Sequence, residues 1–334
     1  MKRGKIAVGL LFVLCIAMVM SSVTFGAKKI RITFAAYNPA GQEEEEGMEL
    51  FKKLVEERSN GRMVVDTFYG GVLGGERDQN DLVSVGEIQL GVTGNRLGSG
   101  VCPELMAMDV PYVISSEENL FKVWNGKIGD RIKKTIEDKK RVTILGVQRR
   151  GFRNLTTKGY KGDTPASLAG MKIRLPEIAE WVTAWKALGT LPVPIDSTEV
   201  FTALQLGTVS AQENPISSCY AKGIWEVCDY LVLTEHLANY MLYVASTDWL
   251  KSLSKNDQKI ILDAMEEAVA YANEWSRENE KKLLKAMEQK GMTIVVPDKA
   301  LYQKAVAPAI KELAKNWAPG VYEEIVKIEG RELY

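Results

Sequence analysis

The chain has 334 residues, with 43 basic and 43 acidic side chains, a formal net charge of zero at pH 7 and one histidine. Near-neutral charge without a basic cluster gives no support for a nucleic-acid or anionic-membrane partner. The single histidine, His236, excludes multi-histidine metal sites, and no GxSxG, HExxH, GxGxxG or Walker motif is present.

In chain order, Lys2, Arg3 and Lys5 precede an apolar run from Ile6 to Met20, and small residues follow up to Gly26 and Ala27. That is the pattern of a secretory signal peptide. The run falls short of the roughly 20 residues that span a bilayer. Cys15 lies inside it after Leu14 and is not read as a lipid site. Residues 1–27 are therefore expected to be removed, leaving a periplasmic protein. At roughly 100–200 residues per domain, the remainder suggests two domains. It contains no second long apolar run and is expected to be soluble.

Residues 29–36, KIRITFAA, read as a first strand, followed by a helix from about Gln42 to Arg58. GRMVVDTFYGG reads as a second strand ending in a Gly-rich turn. Asp78–Gly86 looks helical, IQLGVTG is a third strand, and RVTILGVQ and MKIRLP are short strands between helical stretches. Such alternation argues for an α/β protein with mainly parallel sheets. Cys102, Cys219 and Cys228 remain after processing, an odd number that rules out a complete disulfide framework. Cys219 and Cys228 fall in a segment expected to be helical, over 13 Å apart at about 1.5 Å per residue. They read as buried thiols. His236 reads as a packed core or helix-end residue.

Asn256–Lys290 reads as one long helix stopped by Gly291. Ile260, Ile261, Ala264, Ala268, Tyr271, Ala272 and Trp275 form one apolar stripe, and Leu283, Leu284 and Met287 another. Between them Ser276–Lys282 is polar all round. Two apolar ends with a polar middle are what a helix bridging two domains would show.

Arg174 stands between Ile173 and Leu175 in a short apolar strand that Pro176 stops. Stripping a guanidinium of water costs several kcal/mol unless an anion meets it. Either Glu177 or Glu180 pairs with it, or the anion comes from outside. Trp181 and Trp185 share one helical face just after it and belong either to the core or to a pocket wall.

GFRNLTT, SLAGMKIRLPE, EVFTALQLGTVSAQENP and WEVCDYLVLTEH follow one another over residues 151–236. This ordered set resembles the substrate-binding proteins of tripartite ATP-independent periplasmic (TRAP) transporters, of the dicarboxylate- and sialic-acid-binding type. The GGVLGGERD turn and MDVPYVISSEENLFKVWNG extend the resemblance over essentially the mature chain. It implies a two-lobed periplasmic binding protein fold, closing on an organic acid in a cleft, with the long helix bridging both lobes. Residues 28–150 plus 240–279 are then expected to form lobe I, and 151–239 plus 280–334 lobe II.

The resemblance gives Arg174 the role of carboxylate anchor, Arg153 that of a second cleft arginine and Asn214 that of a donor to the same carboxylate. On the first lobe it points to the loops holding Tyr37, Asn38, Thr93, Gly94, Asn95 and Arg96. Ser197 stands about where sialic-acid-binding members place a phenylalanine, and Gly94 about where they place a glutamate. Both departures count against sialic acid. Glu177 is counted with the cleft residues, and Glu213 is expected to face away, because a carboxylate there would repel the ligand. The implied partners are an organic acid (a C4-dicarboxylate, a hydroxy or keto acid, or a sugar acid) and the small and large membrane subunits of a TRAP permease. No cofactor or catalysis is implied, and a monomer is expected. The competing readings are a binding protein serving a sensor and an enzyme of the same lobed fold.

Overall fold

A computed structural model describes residues 29–334, so the expected signal peptide lies outside the described residues. Strand β1 (Ile30–Ala36) leads to helix α1 (Glu43–Arg58), β2 (Met63–Phe68), α2 (Glu76–Val85) and β3 (Leu90–Thr93). Helices α3 (Pro103–Met108), α4 (Glu117–Trp124) and α5 (Lys127–Lys140) precede the long strand β4 (Val142–Thr157). Then come β5 (Lys172–Leu175), α6 (Ala179–Ala187), β6 (Leu191–Pro194), α7 (Val200–Gln205), β7 (Ala211–Pro215) and α8 (Ile216–Ala221). A second long strand, β8 (Tyr230–Ser246), is followed by α9 (Thr247–Ser252), α10 (Lys255–Gln289), β9 (Thr293–Val295), α11 (Lys299–Leu313) and α12 (Val321–Glu329).

The strands run in the order β2-β1-β3-β8-β4-β7-β5-β6, with β9 beside β8. The outer pairs β1/β2, β1/β3, β5/β7 and β5/β6 are parallel, whereas β3/β8, β4/β8 and β4/β7 are antiparallel. The expectation of mainly parallel sheets therefore holds only for the flanks. RVTILGVQ is likewise not a short strand: it continues through GFRNLTT as one strand of 16 residues. One end of β8 pairs with β3 and the other with β9, while β4 accompanies it throughout. Two long antiparallel strands thus join two α/β lobes.

Their ladder breaks between Arg149 and Gly151. Gly151 has φ +71°, open to glycine at no steric cost, and a Cβ there would stand 2.5 Å from Glu280 Oε1. Arg150 is the extra, unpaired residue, and bulges of this kind re-aim a side chain.

Helix α10 buries its two apolar ends in different places. Ile261, Ala264, Met265 and Ala268 pack with β1, β2, β3 and α1, whereas Met287, with Leu283 and Leu284, packs with α7 and α8. Tyr271, read as part of the first stripe, is instead 46% exposed. Nor is the middle polar all round, because Ser276 is buried under Arg149. The Cys219–Cys228 segment is not one helix, since α8 ends at Ala221, yet both thiols are free and buried. Helix α12, expected with the second lobe, packs on α3 and α4, where Glu329 accepts hydrogen bonds from Ser115 N and Asn119 Nδ2, both at 3.1 Å. Among the described residues no helix is long and apolar enough to cross a membrane.

Candidate functional site

The carboxyl ends of β1, β3, β5 and β6 meet around one cavity, the position at which open α/β sheets bind ligands. Tyr37 and Asn38 follow β1, Asn95 and Arg96 follow β3, Arg174 is the last residue but one of β5, and Ser197 follows β6. Arg153 of β4 and Asn214 of β7 complete the set of expected residues that line it. The cavity has a volume of about 40 Å³, room for a few waters at roughly 10–15 Å³ each.

Arg174 is 2% exposed. Its Nε donates to the Ile195 carbonyl at 2.8 Å, and among the described residues neither Nη atom has a protein hydrogen-bond partner. It pairs with neither Glu177 nor Glu180. Burial, aided by Arg153, lowers its pKa to about 10, with Glu213 opposing. The protein therefore holds a desolvated cation and leaves the planar end of its fork unused.

The other arginines of the cavity are compensated. Arg153 Nη2 donates to Glu213 Oε1 and to Asn214 Oδ1, each at 2.9 Å, and its guanidinium lies 4.6 Å from the Trp181 ring centre. Glu213 does not line the cavity, but neither does it turn from the arginines. It is fully buried, bonds Arg153 and lies 3.0 Å from His236 Nε2. Although burial opposes ionisation, Arg153 and His236 hold the Glu213 pKa below its ordinary value. Arg150, which sequence spacing did not single out, reaches the cavity from the bulge. It donates to Gln42 Oε1 at 2.7 Å and to Glu43 Oε1 at 3.2 Å, with Glu44 Oε1 3.3 Å away.

Thr93 and Glu177 do not line this cavity. The Thr93 hydroxyl is buried against Glu76 Oε1 at 3.3 Å, and Glu177 is largely exposed, 3.5 Å from Arg96. Trp181 lines the cavity while Trp185 enters the core against His236. His236 is therefore a packed core residue, held also by Thr234. Glu76, Asn239, Tyr240 and Met241 are lining residues that the sequence did not reveal. The last three sit in the middle of β8, whose apolar run reads as core.

Asn214 Nδ2 already donates to Gln212 Oε1, leaving one of its two amide hydrogens for a ligand. Across the cavity, Arg96 Nη1 reaches Asp196 Oδ2 at 3.0 Å, tying the loop after β3 to the loop after β6.

A cleft between two lobes, closed by crossing strands and holding an uncompensated arginine, defines a ligand-binding protein. Residues 34–316 match the model of the bacterial extracellular solute-binding protein family 7, and the chain belongs to that family. Its members are substrate-binding receptors. A solute-binding protein of Roseobacter denitrificans is 35% identical over 253 residues, 75% of this chain and 77% of the relative. The 2,3-diketo-L-gulonate-binding periplasmic protein of Escherichia coli is 27% identical over 264 residues, 79% of this chain and 80% of the relative. Among solved structures, a TRAP periplasmic solute binding protein from Roseobacter denitrificans with bound L-galactonate superposes with a TM-score of 0.84 at 28% identity, covering 90% of this chain and 99% of its own. One from Polaromonas bound to D-erythronate gives the same score and identity, covering 91% and 99%.

Proposed function

We propose that this chain is the periplasmic receptor of a TRAP transporter, carrying an organic acid whose carboxylate is held by the unused fork of Arg174. The observation that carries the reading is that one buried guanidinium has no anionic partner while its two neighbours do. Parallel N–H groups of an arginine match the two oxygens of a carboxylate, and lysine cannot reproduce that geometry. The ligands of the similar proteins, L-galactonate, D-erythronate and 2,3-diketo-L-gulonate, support an acid of the sugar-acid class. Lobe I comprises 28–150 with 240–279, and lobe II 151–239 with 280–334, apart from the last helix, which reaches back onto α3 and α4. Ligand binding favours the closed arrangement, which the small and large membrane subunits then distinguish from the empty one. The receptor acts as a monomer and performs no chemistry on its ligand.

Calorimetric titration tests the anchor. Losing charge-assisted hydrogen bonds of about 1.5–3 kcal/mol makes Arg174→Lys roughly 10- to 150-fold weaker at about 1.4 kcal/mol per decade. Arg174→Ala should bind still more weakly, while the empty variants melt at or above the wild-type temperature. A destabilised variant that binds with wild-type affinity would overturn the assignment.

A further inference from the structure

Among the described residues Glu76 is the one carboxyl group that lines the cavity, and it is 5% exposed. It opens α2, where a negative charge is favoured by the helix dipole. Its Oε1 accepts from Gly94 N at 2.9 Å and from the Thr93 hydroxyl at 3.3 Å. Among the described residues, no protein donor bonds its Oε2. Burial raises the pKa of Glu76, while Arg96 and the bonds from Gly94 and Thr93 pull it back toward the ionised form.

Gly94 makes this placement possible. A Cβ at Gly94 would stand 3.1 Å from Glu76 Oε1 and 3.4 Å from the Tyr37 hydroxyl, so a side chain there would crowd the carboxyl group. The β3 loop therefore carries no acid of its own and instead frames one delivered from α2. Arg174 and Glu76 consequently face one small cavity from elements of different lobes, a cation with a free fork and an acid with a free oxygen.

A ligand anchored by its carboxylate on Arg174 must present the rest of its length to the remaining walls, Glu76 included. A second carboxylate would set two anions together in a low-dielectric space, where like charges repel strongly. A hydroxyl would instead donate to Oε2, and a hydrogen bond to a charged group is among the stronger ones.

We infer that Glu76 is a specificity-determining residue that accepts a ligand hydroxyl, selecting polyhydroxy monocarboxylates of the aldonate type over dicarboxylates. The inference rests on Arg174 as the carboxylate anchor. It differs from a purely structural role for Glu76 as a brace of the β3 loop, which would affect all acids alike.

The test is calorimetric titration of the wild-type protein and of Glu76→Gln with aldonates of four to six carbons, among them D-erythronate, and with butanoate and succinate. Wild type should bind at least one aldonate at least 10-fold more tightly than either butanoate or succinate. Glu76→Gln should weaken that aldonate by about 10-fold or more and leave butanoate unchanged. Succinate should gain affinity, because the amide can donate to its second carboxylate. The inference is overturned if succinate is the better wild-type ligand, if no aldonate binds, or if the variant weakens all acids equally. In each of these cases Arg174→Lys still shows independently whether whichever acid binds is anchored there. The wild-type comparison stands even if the variant does not fold.

Discussion

Lys222, just past α8, illustrates how the cavity's positive field reaches beyond its lining. Its Nζ donates to the Ser197 carbonyl at 3.2 Å and to the Ser197 hydroxyl, and with Tyr37 and Phe201 it borders an adjoining cavity. Burial, then the guanidiniums of Arg174, Arg150 and Arg153, lower its pKa to about 7, against weak support from Cys219. Because this folded-state value lies below the ordinary one for lysine, the folded protein binds fewer protons than the unfolded chain across the interval between them. Its stability therefore rises as pH climbs through that interval, and the penalty is full below about pH 7. A bound anion reverses the field, so binding near pH 8 should take up protons. Calorimetry in two buffers of different ionisation enthalpy should reveal that uptake, and Lys222→Met should reduce it. Glu43, raised to about 7 by burial and by Glu44, supplies any remainder. A wild-type enthalpy independent of buffer would refute the prediction. At this scale Arg174 was legible because a charge inside an apolar strand is costly. Glu76 was not, because an acid in the first turn of a helix is what any helix favours.

At the scale of elements, the sequence located the starts of β1, α1 and β4 and nearly the whole of α10, because periodicity and Gly or Pro punctuation are local signals. It missed that β4 and β8 are continuous through both lobes. RVTILGVQ reads as a short strand that ends before Arg149, and only pairing with β8 shows that the strand continues through a bulge at Arg150. The polar middle of α10 looks unpartnered in sequence for the same reason: its partner is far away along the chain. Buried Arg149 donates to Ser276 Oγ at 2.9 Å, Glu280 at 2.8 Å and Glu117 at 2.7 Å, and its own N–H to Asn273 Oδ1 at 2.7 Å. This network fastens the bridging helix to the crossing strand. Arg149→Met keeps the apolar stem but strands the half-buried Glu280, whereas Glu117 keeps its bonds from Arg277. It should cost about 1.5–3 kcal/mol, the range for hydrogen bonds to charged groups, toward the lower end where the partners are partly screened. Urea unfolding measures the cost, and a change below about 0.5 kcal/mol, the range of an ordinary surface substitution, would show that the network adds little.

At the scale of the whole molecule, the Gly-rich turn comes close to the loop after β6. Gly75 has an extended conformation, φ −70° and ψ −178°, open to any residue. The space around it is restrictive: a Cβ would lie 3.1 Å from both Asp196 carboxylate oxygens. Asp196 cannot yield easily, because it accepts from Thr198 N at 3.1 Å and from Arg96 at 3.0 Å. Gly71, whose added Cβ would meet Thr198 Cγ2 at 2.9 Å, makes the same close approach. The glycines that punctuate the sequence as a turn thus also let it lie against the loop after β6. Gly75→Ala should leave the fold intact, since its backbone suits alanine, and should hold the lobes slightly apart. The ligand would then lose some of the desolvation that strengthens the ion pair proposed with Arg174. Affinity for the acid should fall by roughly 10-fold, about 1.4 kcal/mol, with apo stability changed by less than about 0.5 kcal/mol. Solution scattering should show a smaller ligand-induced contraction in the variant than in wild type. If the variant contracts fully and binds with wild-type affinity, Asp196 has room to move and these glycines do not govern closure.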